Sequence, residues 1–246
     1  MDNDAASRLK SYNRILIKLS GEVLMGSEPF GIEASTIKRI SQDIKAVQDM
    51  GKQICIVIGG GNIFRGVQGA AIGIERVTSD QMGMLATVMN ALALQSSLEE
   101  LGMEIRVMSA VPMSSICEPF IRRRAMHHLE RGRVVIFAAG TGSPYFTTDT
   151  AATLRASEMN CDVLMKGTKV DGVYSEDPVK NPDAEHFNRI TYSRVLVEHL
   201  QAMDASAIAL ARENKLPVVV FSIQRPGNLA QILNGNGTYT EILDSL

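Results

Sequence analysis

Four short segments of the chain concentrate the residue types that bind and move phosphate groups. Gly59-Gly60-Gly61-Asn62-Ile63-Phe64-Arg65-Gly66 sets three successive glycines ahead of an arginine. Without Cβ atoms the backbone can approach a ligand and turn its N–H groups inward as an anion cradle, and a guanidinium can fork two phosphate oxygens as lysine cannot. A tight turn alone seldom needs three glycines followed by an arginine, so binding is the favoured reading. Lys18-Leu19-Ser20-Gly21-Glu22 offers an ammonium group beside a small turn, although taken alone such a lysine more often reaches into water. Ala139-Gly140-Thr141-Gly142-Ser143-Pro144-Tyr145-Phe146-Thr147-Thr148-Asp149 is dense in glycine and hydroxyls and runs into helical spacing, so amides, hydroxyls and a helix start can receive an anionic nucleotide. Tyr145 and Phe146 could flank a base, but core packing of one of them is the expected fate. Asp149 falls in a first helical turn, where the helix dipole alone favours a carboxylate. Finally, Lys166-Gly167-Thr168-Lys169-Val170-Asp171-Gly172-Val173-Tyr174, followed by Ser175-Glu176-Asp177-Pro178, combines two lysines with two turn signals and suits a purine nucleotide and its phosphates.

The elements that must position these segments are legible from the apolar runs. Strands are expected at 14–20, 53–58, 105–108, 133–138, 162–165 and 217–222, and most are continuously apolar, as in a mainly parallel sheet covered on both faces. Between them lie helical patterns: the stripe Ile37, Ile40, Ile44 and Val47, a long helix over 79–101, and shorter ones over 120–131, 148–159, 193–200 and 205–214. The alternation of strand and helix is the α/β pattern, and the chemistry belongs in the loops at the carboxyl edge of the sheet. With 246 residues, 45% of them hydrophobic, and no low-complexity linker, one domain over 1–246 is expected, with 1–12 flexible.

Composition narrows the function. Lys and Arg total 25 against 27 Asp and Glu, so the net charge of −2 gives no field for a nucleic acid or an anionic membrane. The polar start and the lack of a long apolar run lead to the expectation of a cytoplasmic protein. Cys55, Cys117 and Cys161 read as buried reduced thiols, and His127 and His128 have no ligand-spaced partner for a metal. Neither a G-x-x-x-x-G-K-[ST] loop nor the protein-kinase signatures occur. Met82, Met84 and Met89 read as core or interface filler, Arg122, Arg123 and Arg124 as a solvated helix face, and Asn234-Gly235-Asn236-Gly237 as a hairpin turn before a final edge strand.

Taken together, KLSGE, VIGGGNIFRG, SDQMGMLATVMNALAL, GTGSPYFTTDTAA and KGTKVDGVYSEDP, in this order, resemble the amino-acid-kinase superfamily and within it the bacterial UMP kinases, over about 14–221. The resemblance implies a three-layer α/β/α sandwich with a mainly parallel central sheet, assembled as a homohexamer. It implies phosphoryl transfer from ATP, with Mg²⁺ held through the ATP phosphates, to UMP in pyrimidine biosynthesis. Carried over by motif, Lys18, Leu19, Ser20, Gly21, Gly61, Arg65, Thr168, Tyr174 and Asp177 would contact ATP. Gly60, Asp80 and the run Thr141, Gly142, Ser143, Pro144, Tyr145, Phe146, Thr147 and Thr148 would hold UMP, with Asp80 on the ribose hydroxyls. GTP often activates and UTP inhibits in the family, and Gly26-Ser27-Glu28-Pro29-Phe30-Gly31 matches the segment linked to GTP, with Pro29 a departure.

A phosphate acceptor with a second pKa of about 6 is largely dianionic at neutral pH, so no general base is needed. Catalysis should consist of positioning and charge neutralisation, with Lys18 and Arg65 first, Lys166 as a further phosphate contact, and Asp149 orienting Lys18 or the metal shell. Two rival readings are a nucleotide sensor without turnover and a superfamily enzyme with a small acid or carbamate acceptor. Joint retention of Lys18, Arg65 and Asp149 counts against the first, and Asp80 with the hydroxyl-rich loop counts against the second.

Overall fold

The computed structural model describes residues 3–66 and 73–245. Its strands are β1 (Arg14–Leu19), β2 (Gln53–Ile58), β3 (Ile105–Ser109), β4 (Glu118–Pro119), β5 (Val134–Ala138), β6 (Val163–Thr168), β7 (Val173–Tyr174), β8 (His186–Phe187), β9 (Arg189–Thr191), β10 (Val218–Ser222) and β11 (Tyr239–Leu243). Nine of them form one sheet in the order β4-β3-β5-β2-β1-β6-β10-β11-β9, and β7 and β8 pair separately. Within the large sheet the β10–β11 pair is antiparallel and the others are parallel.

Helices α1 (Asn3–Ser11), α2 (Ala34–Asp49), α3 (Arg76–Glu99), α4 (Arg122–Glu130), α5 (Thr148–Glu158), α6 (Tyr192–Val197), α7 (Ala205–Glu213) and α8 (Asn228–Leu233) cover the two faces. Strand alternation decides which residue meets which layer. Ile15, Ile17 and Leu19 enter a core with Ile40, Ile44 and Val47 of α2 and Leu94 and Leu98 of α3. Leu16 points the other way, toward Ala151, Ala152 and Ala156 of α5 and Ile208 and Ala211 of α7. Each such aliphatic side chain contributes roughly 1.5–3 kcal/mol relative to exposure. Lys18, two residues beyond Leu16, therefore emerges on the α5 side, as does Lys166 two residues beyond Leu164. This is the α/β sandwich expected from the uninterrupted apolar strands.

Several local expectations are corrected. Residues 3–11, expected to be flexible, form α1, because Leu9 is fully buried and Arg8 pairs at 2.7 Å with the buried Glu241; residues 1 and 2 lie outside the described residues. Asn234-Gly235-Asn236-Gly237 is no hairpin: it follows α8, with Gly235 and Gly237 at φ of 80° and 93° ending that helix. The strand after it, β11, is not an edge either, since β9 pairs on its outer side. Cys117 is half-buried, not buried. Among the described residues no helix is long and apolar enough to cross a membrane.

Candidate active site

The chain runs from β1 outward to β2 on one side and returns to β6 on the other, so the sheet reverses direction at β1. Such a switch point opens a crevice beyond the carboxyl ends of the strands. The four segments singled out in the sequence follow β5, β2, β1 and β6, which are neighbours in the sheet. Their separation along the chain thus disappears at one edge.

At the centre of that edge Lys18 and Lys166 are direct partners in the β1–β6 register. Asp149, in the first turn of α5, receives both: its Oδ1 lies 2.7 Å from Lys18 Nζ and its Oδ2 2.7 Å from Lys166 Nζ. Lys166 also donates to the carbonyl of Ala202 at 2.6 Å. All three side chains are largely withdrawn from water, which strengthens the attraction and raises the cost of losing a partner. Burial opposes ionisation of Asp149, but the charges of Lys18 and then Lys166 outweigh it and hold the carboxyl below its ordinary range. Burial pushes the Lys166 ammonium below the usual lysine value, only partly offset by Asp149.

Asp149 is placed by its helix. Thr147 caps α5, its hydroxyl accepting from the amides of Asp149 and Thr150. Asp204 caps α7 through the Ala207 amide and also accepts from the hydroxyls of Thr147 and Thr150, so one carboxylate ties the two helix starts together. Asp204 was missed in the sequence, although an aspartate directly before the apolar ASAIALA run is a readable cap signal.

The glycine loop fits against the loop after β1 at backbone distance. A Cβ on Gly21 would stand 2.7 Å from the Gly59 carbonyl and 2.8 Å from the Gly61 nitrogen; one on Gly60 would stand 2.8 Å from Ala86 Cβ of α3. A Cβ on Gly61 would meet only Glu22, at 3.7 Å or more, so this glycine faces the crevice. Arg65 is half-exposed and pairs with Glu22 at 2.8 Å, while Lys169 approaches the other Glu22 oxygen at 3.7 Å. Lys18, Lys166, Arg65 and Lys169 gather around Asp149 and Glu22, a set of cations of the kind that receives phosphate oxygens.

On one flank, Asp80 accepts from the Tyr145 amide at 2.8 Å and from Arg76 Nε at 2.9 Å. That contact brings the start of α3 to the Thr141–Thr148 segment. Tyr145 is held at φ 71° and Ala139 at φ 61°, conformations that cost about 1–3 kcal/mol each and mark a loop fixed by its surroundings. Both Tyr145 and Phe146 are exposed, 66% and 53%, so neither is the core residue expected; the Tyr145 backbone turns its ring outward beneath Arg76, 5.5 Å from the centroid.

On the other flank, Thr168 donates to the Val170 carbonyl at 2.7 Å and Tyr174 to Asp171 at 2.6 Å, a bond that raises the Tyr174 phenol to about 12. Val170, Gly172, Tyr174, Asp177 and Pro178 line a cavity of about 320 Å³. An adjoining one shares Val170, Tyr174 and Pro178 and adds Lys169 and Arg225. Leu19, Ser20 and Gly21 lead from Lys18 into the turn Gly21–Met25, and the loop Gly26 to Gly31 stands beyond it with Phe30 75% exposed.

An α/β fold with lysines, an arginine and a glycine cradle gathered at one sheet edge is the architecture of a phosphotransferase. The amino acid kinase family model matches residues 13–222. The chain is 59% identical over 237 residues to the uridylate kinase of Cereibacter sphaeroides, covering 96% of each. Among solved structures it resembles a UMP kinase from Bacillus anthracis (TM-score 0.93, 40% identity, 96% of this chain and 97% of that one). It also resembles a UMP kinase from Ureaplasma parvum (TM-score 0.91, 35% identity, 95% and 99%). The chain belongs to the amino acid kinase family and, within it, to the uridylate kinases.

Proposed function

We propose that the whole chain acts as one domain that reversibly transfers the γ-phosphoryl group of ATP to UMP, giving UDP and ADP for pyrimidine nucleotide synthesis. The observation that carries this reading is the Lys18–Asp149–Lys166 array, flanked by the Asp80–Tyr145 contact on one side and the Tyr174–Asp177 cavity on the other. ATP takes the cavity flank, with Gly61, Thr168, Tyr174 and Asp177; UMP takes the flank of Gly60, Asp80 and Thr141 to Thr148.

Lys18 neutralises the charge that builds up between the two phosphates, Arg65 leaves Glu22 to join it, and Asp149 aims Lys18 without taking a proton. Lys166, already shared by Asp149 and Ala202, serves mainly to hold that carboxylate. Among the described residues no three His, Cys, Asp or Glu side chains stand together as a cage for a metal. Asp149 and Glu22 already face cations, a donor set that fits Mg²⁺ bound chiefly by ATP oxygens and water. Bound there, the ion would supply positive charge that screens the phosphates. The same reading includes a cytoplasmic homohexamer, activation by GTP at Gly26 to Gly31 and inhibition by UTP.

Phosphorus NMR of the chain with Mg·ATP tests the reaction directly. Adding UMP should produce the paired resonances of UDP and ADP; ATP left intact would contradict the assignment.

A further inference from the structure

Beneath the crevice lies a pair of buried amides that no step of the reaction uses. Asn62 is 2% exposed and Asn90 fully buried. Asn62 Nδ2 donates to Asn90 Oδ1 at 3.0 Å, and Asn90 Nδ2 donates back to Asn62 Oδ1 at 2.6 Å. The remaining amide hydrogens leave the pair in two directions. Asn90 donates to the Gly59 carbonyl at 2.7 Å, in the glycine cradle, and Asn62 donates to the Gly31 carbonyl at 2.8 Å, in the loop Gly26 to Gly31. The Gly31 amide returns a bond to the Asn62 carbonyl at 2.8 Å. A Cβ on Gly21 would come within 2.5 Å of Asn62 Oδ1, so the loop after β1 rests on the same pair.

All four side-chain N–H groups are thus satisfied, in a setting where an unsatisfied one would be costly. A solvated helix face needs no such residue at position 90, and an apolar side chain would serve packing alone. Asn90 stands on α3, the helix that also carries Asp80 at its start. The network therefore spans α3, the cradle and the Gly26–Gly31 loop, with the Gly31–Asn62 backbone bond beside it.

We infer that Asn62 and Asn90 are positioning residues: they set the cradle's geometry for the acceptor phosphate and make the Gly26–Gly31 loop respond to its occupancy. This rests on the UMP-kinase reading. When UMP fills the cradle, the Gly59 carbonyl and both amides are held in place, and the Gly31 pair of bonds is held with them.

Asn90→Leu removes the reciprocal amide bonds and the tie to Gly59 with a side chain of similar length, and Asn62→Asp is a second variant that sets a carboxylate oxygen against the Gly31 carbonyl and so breaks that tie. Leu94→Ala, one turn along α3 in the apolar core, controls for lost stability. In the native chain, UMP should slow hydrogen exchange across 26–33 by about tenfold. In both amide variants that protection should vanish and KM for UMP should rise about tenfold, with kcat at saturating UMP within about threefold of native. Leu94→Ala should lower the melting temperature and leave KM and protection as in the native chain. Native KM and native protection in the amide variants, or an equal KM shift in Leu94→Ala, would overturn the inference. Absence of UMP turnover in the native chain would instead contradict the function itself.

Discussion

Asp149 faces two ammonium groups in a site with little water, so it governs where Lys18 points and whether two buried cations can coexist. Replacing it by asparagine keeps the shape and removes the charge. Asp149→Asn should lower kcat by at least about a hundredfold while UMP affinity persists. It should also destabilise the fold by about 3 kcal/mol, because the two lysines are left without a counter-charge. Near-native kcat would remove Asp149 from the mechanism. The pH dependence has a definite sign. Since the folded carboxyl sits below its ordinary range, its stabilising contribution is complete above the ordinary carboxylate range, declines as pH falls through that range and is gone once pH passes the depressed value. Lys166 already titrates below an ordinary lysine, so in the variant the alkaline limb of kcat/KM should move further toward neutral pH. Lys18→Ala should lower kcat and kcat/KM equally, the mark of an interaction made in the transition state; an unchanged kcat would show that Lys18 is a bystander.

At the scale of elements, the edge works because loops from neighbouring strands touch backbone to backbone. Gly60→Ala would press a methyl group to within 2.8 Å of Ala86 Cβ and of the Gly83 carbonyl, prising the cradle from α3. Steady-state kinetics should show KM for UMP raised about tenfold or more with a smaller change for ATP; equal changes for both would mean that the cradle does not distinguish the ligands. The sequence made these loops visible through their glycines, hydroxyls and cations, because phosphate binding demands those types. It made the central strands visible because parallel strands covered on both faces are continuously apolar. It did not reveal the two-residue strands β4, β7 and β8, too short to carry a period, nor that β9 lies outside β11. Glu22 was quoted without its role, since only the fold shows that it meets Arg65 and Lys169. Asn90 did leave a trace, a lone amide in the apolar run MLATVMNALAL, but an amide in a helix carries no label for its partner.

For the whole molecule, the four adjacent strand ends explain why motifs spread from Lys18 to Asp177 converge, and a parallel sheet with a reversal at β1 is what brings them together. The outer surface of α3 keeps Leu85 and Met89 about half-exposed, and Ile116 and Ile121 are exposed as well. Apolar side chains of this kind fit subunit contacts, as the hexamer reading requires. On the proposed hexamer, light scattering should return six times the 26.7 kDa chain mass, and a monomer at micromolar concentration would contradict that assembly.

The central claim, that one edge holds ATP and a uridine monophosphate together, is tested most directly by acceptor choice. ADP release from Mg·ATP would be followed with UMP, CMP, dUMP, aspartate, glutamate and carbamate offered separately. The arrangement of Asp80, the Thr141 to Thr148 loop and the Lys18–Asp149 pair predicts turnover with UMP far above all others. Turnover with an acid or carbamate, or silence with all six, would contradict it.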